Sequence, residues 1–459
     1  MLIDDYMRLI SSGIGSRRDG IEAKDIARHL YPFQSECVSF LARAGRGGLF
    51  LDTGLGKTAV QLEWCRHAAN ATNGRTLILT PLAVARQIEA EGKRFGYDIR
   101  VIRSQSEVAD GINVCNYDRL HSIEPESFGA VSLDESSILK NLCGKTSIAL
   151  RDAFRSHRFR LVATATPAPN DHTEIGQQAD FCGVMSSLEM LSTFFLNDTS
   201  RASQTWRLKR HGVAAFYDWL SSWSRMASMP SDLGDSDDGF RLPALTVTKH
   251  RAKHEAVKCD GELFASDNVS ATSMHDVKRQ TSRARAECAA GIVAMDDSYP
   301  CVVWCDTDYE AREIVNALSS FDGVAEVRGS QSIDQKEETL EAFQRGDVRV
   351  LVTKPSVCGF GLNWQHCART VFVGRTFSYE SWYQAIRRLW RFGQRRDVEC
   401  HVIVASGENA IDRVIARKAG DHEASKVAMR AAMRRAIGAT RYTRSEYAPA
   451  HSGRMPSWS

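Results

Sequence analysis

The sequence predicts an α/β fold of two parallel-sheet lobes with a helical insertion between them. Three observations lead there. The chain has 459 residues, more than one ordinary core holds, so two or three domains are expected. Short apolar strands alternate with helical patterns in two separate stretches, the alternation of a parallel sheet covered by helices. Only the first stretch holds a strand, a glycine loop and a helix in the order that binds phosphate. The expected organisation is a first lobe over 1–184, an insertion and linker over 185–290, a second lobe over 291–410 and a basic helical tail over 411–459.

In the first stretch "GGLFL", "TLILTP", "INVCN", "GAVSLDE" and "RLVATAT" each read as a buried strand ending at a polar or glycine tip, with helical spacing such as "AVARQIEAEGKRF" between them. Ligands of such sheets sit at the carboxyl ends of the strands. From about Met185 to Arg241 the pattern breaks into a Trp-, Ser- and Met-rich segment, read as a helical insertion with buried Trp. It ends in the acidic loop "MPSDLGDSDDGFRLP". A calcium loop is rejected there: with Gly239 in the glycine place, the first ligand would be Gly234 and the last Leu245. The loop reads as a solvated linker. "CVVWCD", "VAEVRG", "VRVLVTK", "RTVFVG" and "ECHVIVA" then predict a second parallel sheet. Arg413 to Arg444 reads as a basic helix with no chemistry of its own.

Composition narrows the class without naming a function. Hydrophobic residues are 43%, charged residues 25% and the formal net charge is +3, a balance that neither demands nor excludes nucleic acid. The start, "MLIDDYMRLI", is acidic where a signal peptide would be basic, and no apolar run approaches the roughly 20 residues of a membrane span. The 12 Cys are scattered with no C-x-x-C pair, which speaks against a disulfide framework or a zinc site. A cytoplasmic protein is the expectation.

"LDTGLGKTAV" is the candidate phosphate loop. It follows the strand "GGLFL", has Gly54 and Gly56 to let backbone N–H groups turn inward, and opens a helix. Lys57 would reach the β/γ-phosphates and Thr58 would hold Mg²⁺. Leu51 stands where such loops usually begin with glycine, which is tolerable if it only ends the strand. A second "GKT", Gly144-Lys145-Thr146, has no preceding strand and reads as a helix start. In "VSLDESS", Asp134 would serve the metal through water, and Glu135 would orient or deprotonate the attacking water. Taken alone the pair fits a helix cap equally well; its weight comes from following the phosphate loop. In "RLVATATPAPND", Thr164 and Thr166 are hydroxyls at another strand tip. In "QAIRRLWRFGQ", Arg388 and Arg391 are three apart and are expected to share a helix face, where guanidiniums could meet a γ-phosphate across a cleft. Gly359 and Gly361 lie in a loop after "VRVLVTK" that could approach a nucleic-acid backbone.

In this order the motifs resemble the superfamily-two helicases, and specifically the Snf-type DNA translocase ATPases. "LYPFQSECVSFL" is similar to their adenine-reading motif, with Gln34 as reader. "LDTGLGKT" resembles D-E-M-G-L-G-K-T, with Thr53 in place of Met. The loop Thr53, Gly54, Leu55, Gly56, Lys57 and Thr58 would cradle the nucleotide. "LILTPLAVARQIEAEGKRF" resembles a DNA-touching strand and helix and puts Pro81 and Leu82 at the contact. "LDESSILKN" is similar to D-E-x-H-x-x-K-N, with Ser137 for His. "VATATPAPN" matches T-G-T-P-x-x-N. "CGFGLNWQ" resembles G-G-x-G-x-N-L, carrying over Gly361 and Asn363. "QAIRRLWRFGQ" resembles Q-A-I-G-R-x-H-R-x-G-Q, with Arg387 for Gly and Trp390 for His. The resemblance runs from about Leu30 to Ala405 and is to the compact versions carried by bacteriophages and bacteria.

It implies two RecA-like lobes that bind ATP and Mg²⁺ and hydrolyse ATP in the cleft between them while moving along nucleic acid, with double-stranded DNA favoured. Gln384, Thr164 and Thr166 would couple the lobes. Asn116, Tyr117, Ser330 and the Gly359–Asn363 loop would touch the nucleic-acid backbone. Two other readings stand beside it: a catalytically idle binding module or partner-dependent subunit, and a small-molecule kinase, which has no use for the second sheet.

Overall fold

The computed structural model describes residues 19–81, 84–140, 144–168, 171–198, 205–252, 271–358, 363–376, 378–404 and 409–442. In the first lobe seven strands lie in the order β3-β4-β2-β5-β6-β1-β9. They are β1 (Arg46–Leu51), β2 (Arg75–Thr80), β3 (Ile99–Val101), β4 (Gly111–Asn116), β5 (Ala130–Asp134), β6 (Phe159–Ala163) and β9 (Ser224–Ala227). Every pairing is parallel. The register sets Thr80 beside Asn116, Asp134 beside Ala163 and Leu49 beside Ala163. The carboxyl ends of five strands therefore share one edge, where a doubly wound sheet binds its ligand. β7 (Phe195–Asp198) and β8 (Thr205–Leu208) form a separate antiparallel hairpin.

The second sheet has the order β10-β15-β14-β11-β13-β12, again all parallel. Its strands are β10 (Leu245–Arg251), β11 (Cys301–Trp304), β12 (Val324–Val327), β13 (Val350–Thr353), β14 (Arg369–Phe372) and β15 (Val398–Val404). The central strands are apolar on both faces because helices cover both, as parallel sheets require. Trp304, Trp364, Phe343 and Phe372 fill one side of it, fully buried. Each such ring contributes roughly 1.5–3 kcal/mol through burial.

The stretch expected as an insertion and linker, 185–290, contributes a strand to each sheet. Ser224–Ala227 pairs with β1, Gly48 opposite Ser224 and Leu51 opposite Ala227. The glycines of "GGLFL" make room for it: a Cβ on Gly47 would stand 2.5 Å from the Trp223 carbonyl oxygen. Trp219, Trp223 and Phe240 are buried in the first core. The acidic loop is a folded cap rather than a solvated linker. Asp235 accepts from Phe33 N (3.2 Å) at the start of the helix Pro32–Ala44. Asp232 is buried and accepts from Ser228 N (2.8 Å) and Met229 N (3.0 Å). Backbone donors in need of a partner consume the acids.

The tail is one helix, Asn409–Tyr442, 34 residues long and so about 50 Å. Ile411 and Ile415 pack against Tyr379 and Tyr383 of the second lobe. Ala432 and Met433 are buried in the core of the first. The helix therefore ties the lobes together. Among the described residues no helix is long and apolar enough to cross a membrane.

Candidate nucleotide site between the lobes

The helix Lys57–Asn70 begins at Gly56, which is left-handed (φ 78°) and provides no side-chain cap. Its first N–H groups and its dipole are left for an external anion. Gly56 is also sterically fixed, since a Cβ there would lie 2.2 Å from Gln34 Nε2. Gln34 donates to the Leu55 carbonyl (3.0 Å) and accepts from Tyr31 N (3.0 Å). Lys57 Nζ donates to the Leu51 carbonyl (2.9 Å). Burial lowers the Lys57 ammonium to about 8, although Glu135, Asp134 and Asp52 pull it back up. A buried cation in a ring of carboxylates and backbone is poised for a phosphate.

Asp134 ends β5 and is held on both oxygens by neutral donors, Gln61 Nε2 (3.1 Å) and Thr80 Oγ1 (3.1 Å). Burial raises its carboxyl above the ordinary value and Glu135 adds to that, against Gln61, Lys57 and Thr80. Glu135 is left-handed at φ 53°, a strained conformation for a side chain of its size. One of its oxygens, Oε1, collects Thr164 Oγ1 (2.8 Å), Ser137 Oγ (3.0 Å) and Gln384 Nε2 (3.4 Å). Ser137, standing where the resemblance has His, thus holds the acid directly. Gln384 Nε2 also donates to Thr166 Oγ1 (3.2 Å), and Thr164 Oγ1 accepts from Thr166 N (3.1 Å). The two threonines, the glutamine and Glu135 form one network across the cleft.

Arg388 and Arg391 do not share a helix. The helix Tyr379–Ile386 ends before them, and Arg387 to Gln394 runs as successive turns. Gly393 is left-handed (φ 90°), and Trp364 N bonds to the Arg388 carbonyl (2.9 Å), drawing it from the helical ladder. Both guanidiniums nevertheless line the same cavity. Arg388 is anchored to the Gln384 carbonyl (3.1 Å) and Oε1 (3.2 Å), and Arg391 to Asn363 Oδ1. Burial, with Arg388 and Arg387 adding to it, pushes Arg391 down to about 9. Burial and Arg387 take Arg388 to about 10 against the opposing pull of Glu135 and Asp134. Guanidiniums crowded together in a buried setting favour an incoming polyanion.

These groups meet in one cavity of about 550 Å³. Its wall includes Gln34, Thr53, Gly54, Gly56, Lys57 and Thr58 from the phosphate loop and its approach. Asp134, Glu135, Gln384, Arg388 and Arg391 complete the phosphate end. Leu55 is buried beneath it. Asn363, expected at nucleic acid, lines this cavity instead. Asn116 and Tyr117, also expected there, face inward. Asn116 caps a short turn by accepting from Asp118 N (3.2 Å), and the buried Tyr117 hydroxyl donates to the Asp134 carbonyl (2.7 Å). Pro81 is half-buried, its carbonyl accepting from Val84 N (3.0 Å). Leu82, Gly359 and Gly361 lie outside the described residues. Ser330 lines a separate second-lobe cavity of about 460 Å³ with Arg312, Arg328 and Lys354.

Sequence reasoning missed several groups. Phe240 and Phe392 stack at 4.8 Å and wall the Gln34 end of the cavity, one from each lobe. Asp52 receives Arg387 from the second lobe at 2.8 Å. One signal pointed to that pair: an arginine in a glycine position of an otherwise matching motif needs a carboxylate.

Residues 284–393 match the family of the helicase conserved C-terminal domain. With a phosphate-loop lobe before it, that domain makes the chain helicase-like, and its ordered motifs resemble those of the Snf-type ATPases. It is 24% identical over 478 aligned positions to the protein p41 of Acyrthosiphon pisum secondary endosymbiont phage 1, covering 88% of this chain and 98% of that one. It is 22% identical to YwqA of Bacillus subtilis (strain 168), a protein named as an ATP-dependent helicase/translocase, over 85% of this chain. The chain spans 48% of that relative's length. The SWI2/SNF2 ATPase core of Sulfolobus solfataricus in complex with dsDNA aligns with 86% of this chain and 92% of its own, at 19% identity and a TM-score of 0.40.

Proposed function

We propose that this chain is an ATP-driven nucleic-acid motor that hydrolyses ATP between its lobes and translocates on double-stranded DNA in the cytoplasm. The observation that carries the reading is the single cavity to which the phosphate loop, the acid pair and the two second-lobe arginines all contribute. Lys57 and the open helix N-terminus bind the β/γ-phosphates. Thr58 and Asp134 suit Mg²⁺, which takes few protein ligands and completes its shell with phosphate oxygens and water. That ion would neutralise charge on the transferring phosphoryl group. Glu135 takes the proton of the attacking water, its orientation fixed by Thr164 and Ser137. Arg388 and Arg391 stabilise the developing charge. Because Gln384 touches both Glu135 and Thr166, separation of the lobes disturbs the acid, which links hydrolysis to movement.

For the track, the supporting feature is the second-lobe cavity with Arg312, Arg328, Ser330 and Lys354. Contacts of this kind are to phosphate and carry no sequence information. The test is ATP hydrolysis by the purified protein alone and with single-stranded DNA, duplex DNA or RNA, with Glu135→Gln beside it. Strong stimulation by duplex DNA, lost in the variant, is expected. Preference for single strands or RNA moves the reading to an unwinding helicase. No hydrolysis with any polymer rejects the isolated chain as a motor.

A further inference from the structure

Asp52 joins three parts of the molecule that are far apart in sequence. It sits between the end of β1 and the phosphate loop, and its side chain is buried. Thr53 N donates to its Oδ1 (2.7 Å), Leu55 N to its carbonyl (3.2 Å), and its own N–H to the Ala227 carbonyl (2.9 Å). Its backbone and carboxylate thus shape the first turn of the loop. From the second lobe come Arg387 (2.8 Å) and the Tyr383 hydroxyl (2.8 Å). From the tail helix comes Lys426 (2.9 Å), whose ammonium also reaches the Tyr383 hydroxyl (3.2 Å). Arg387 further donates to the Thr53 carbonyl (3.1 Å), inside the phosphate loop itself.

Lys426 lies on the tail helix between the end that packs on the second lobe and the end buried in the first. On the first-lobe side Ser425 Oγ meets His172 Nε2 (2.9 Å), and Arg435 pairs with Asp218 (2.6 Å). Opening the cleft pulls Arg387 and Tyr383 from Asp52. A stiff helix anchored at both ends cannot follow both lobes apart, so Lys426 stands where that conflict is felt. Buried ion pairs of this kind are weak sources of stability but strong determinants of which arrangement is adopted, because separating them leaves a charge unpaired.

We propose that Asp52 is a positioning residue for the phosphate loop. Through Lys426 the tail helix acts as a strut that makes lobe closure, tail docking and loop geometry one event. The inference rests on the motor reading for its consequence in turnover, but not for its consequence in shape. It assigns to the tail a part in the ATP cycle rather than a solvated basic face.

The test uses the full chain with Lys426→Met, Lys426→Arg and Asp52→Asn, each checked for cooperative melting. Small-angle scattering without nucleotide reads lobe closure independently of catalysis. A fluorescent ATP analogue reads binding, and duplex-stimulated hydrolysis reads turnover. Lys426→Met should enlarge the radius of gyration and lower kcat about tenfold, while the analogue's Kd moves less than about threefold, a loss of transition-state rather than ground-state interaction. Lys426→Arg should restore both shape and kcat. Adding Lys426→Met to Asp52→Asn should cost no more than Asp52→Asn alone. An unchanged radius with kcat within twofold overturns the proposal, as does full additivity of the two variants. If the wild type hydrolyses nothing, the motor reading fails, while the scattering comparison still decides whether the strut closes the lobes.

Discussion

The two lobes begin alike and diverge at one strand tip. In each, an apolar interior strand runs into a helix: β1 into Lys57–Asn70, and β11 into Asp308–Ala317. In the first lobe the helix starts at a left-handed glycine with no side-chain cap. In the second it starts with a capping box: Glu310 Oε2 accepts from Asp306 N (2.8 Å) and Thr307 N (3.0 Å), and Thr307 Oγ1 accepts from Glu310 N (3.4 Å). The same position is thus uncapped and open to an anion in one lobe and capped by the chain's own carboxylate in the other. The difference teaches that the sheet supplies the location and a few residues at the turn decide its chemistry. The second lobe contributes to the first lobe's cavity arginines that sit elsewhere, after the helix Tyr379–Ile386.

The sharpest way to break this division is to remove the first lobe's acid. Glu135→Gln should lower hydrolysis about 10³-fold, within the range for loss of a general base, and leave the Kd of an ATP analogue within a few-fold. Rapid-quench turnover beside equilibrium fluorescence checks both. Residual hydrolysis above about a tenth of wild type would mean that the base lies elsewhere. The complementary variant belongs to the second lobe. Arg391→Ala should cost about 10²-fold in kcat, as removal of one transition-state donor does, with little change in analogue binding. Equal losses in kcat and affinity would instead make the arginine a ground-state ligand.

Most of the first lobe's share was legible because it is local. The strand, Gly54, Gly56, Lys57 and Thr58 lie within a dozen residues, and hydropathy with glycine spacing reports them directly. Asp134 and Glu135 followed from order. The contributions that arrive from a distance were not legible. β9 pairs with β1 across some 170 residues of chain, and its signal, "SRMA", is too short to read as a strand; the paired glycines of β1 betray it only once Trp223 is seen against them. The arginine segment was read as helix because its spacing suits one; a tertiary bond from Trp364 and the left-handed Gly393 make it turns. The resemblance puts Asn116 and Tyr117 at a nucleic-acid backbone, whereas the Tyr117 hydroxyl is spent on the Asp134 carbonyl.

A third prediction uses pH. In the nucleotide-free protein burial lowers Lys57 to about 8. As pH rises through that value the ammonium loses its proton. A polyphosphate binds the charged form, so binding above pH 8 must take up a proton, and affinity for an ATP analogue should fall about tenfold between pH 7 and pH 9. Titration calorimetry at pH 9 in two buffers of different ionisation heat should report an uptake of close to one proton. Lys57→Arg should remove the fall through pH 8. Arg391 of the second lobe, lowered to about 9 by burial, accounts for what remains above it, so a profile surviving below pH 8 in that variant would locate the titrating group outside the phosphate loop.

The smallest effect concerns the second lobe's own cavity. Arg328 is held by both oxygens of Glu326 (2.6 Å each), and Lys354 by Asp308 (2.7 Å). A carboxylate already partly neutralises each cation, so neither contact delivers the full gain of a free cation. Arg328→Gln with Lys354→Gln should therefore weaken duplex binding only several-fold near 0.1 M salt, and reduce the slope of log affinity against log salt by up to about two. Fluorescence anisotropy over a salt series measures both. ATP-analogue affinity without DNA should not change, since these residues line a different cavity from the nucleotide's. A loss of nucleotide binding would join the two cavities into one site; an unchanged salt slope would move the nucleic-acid track to another face of the lobe.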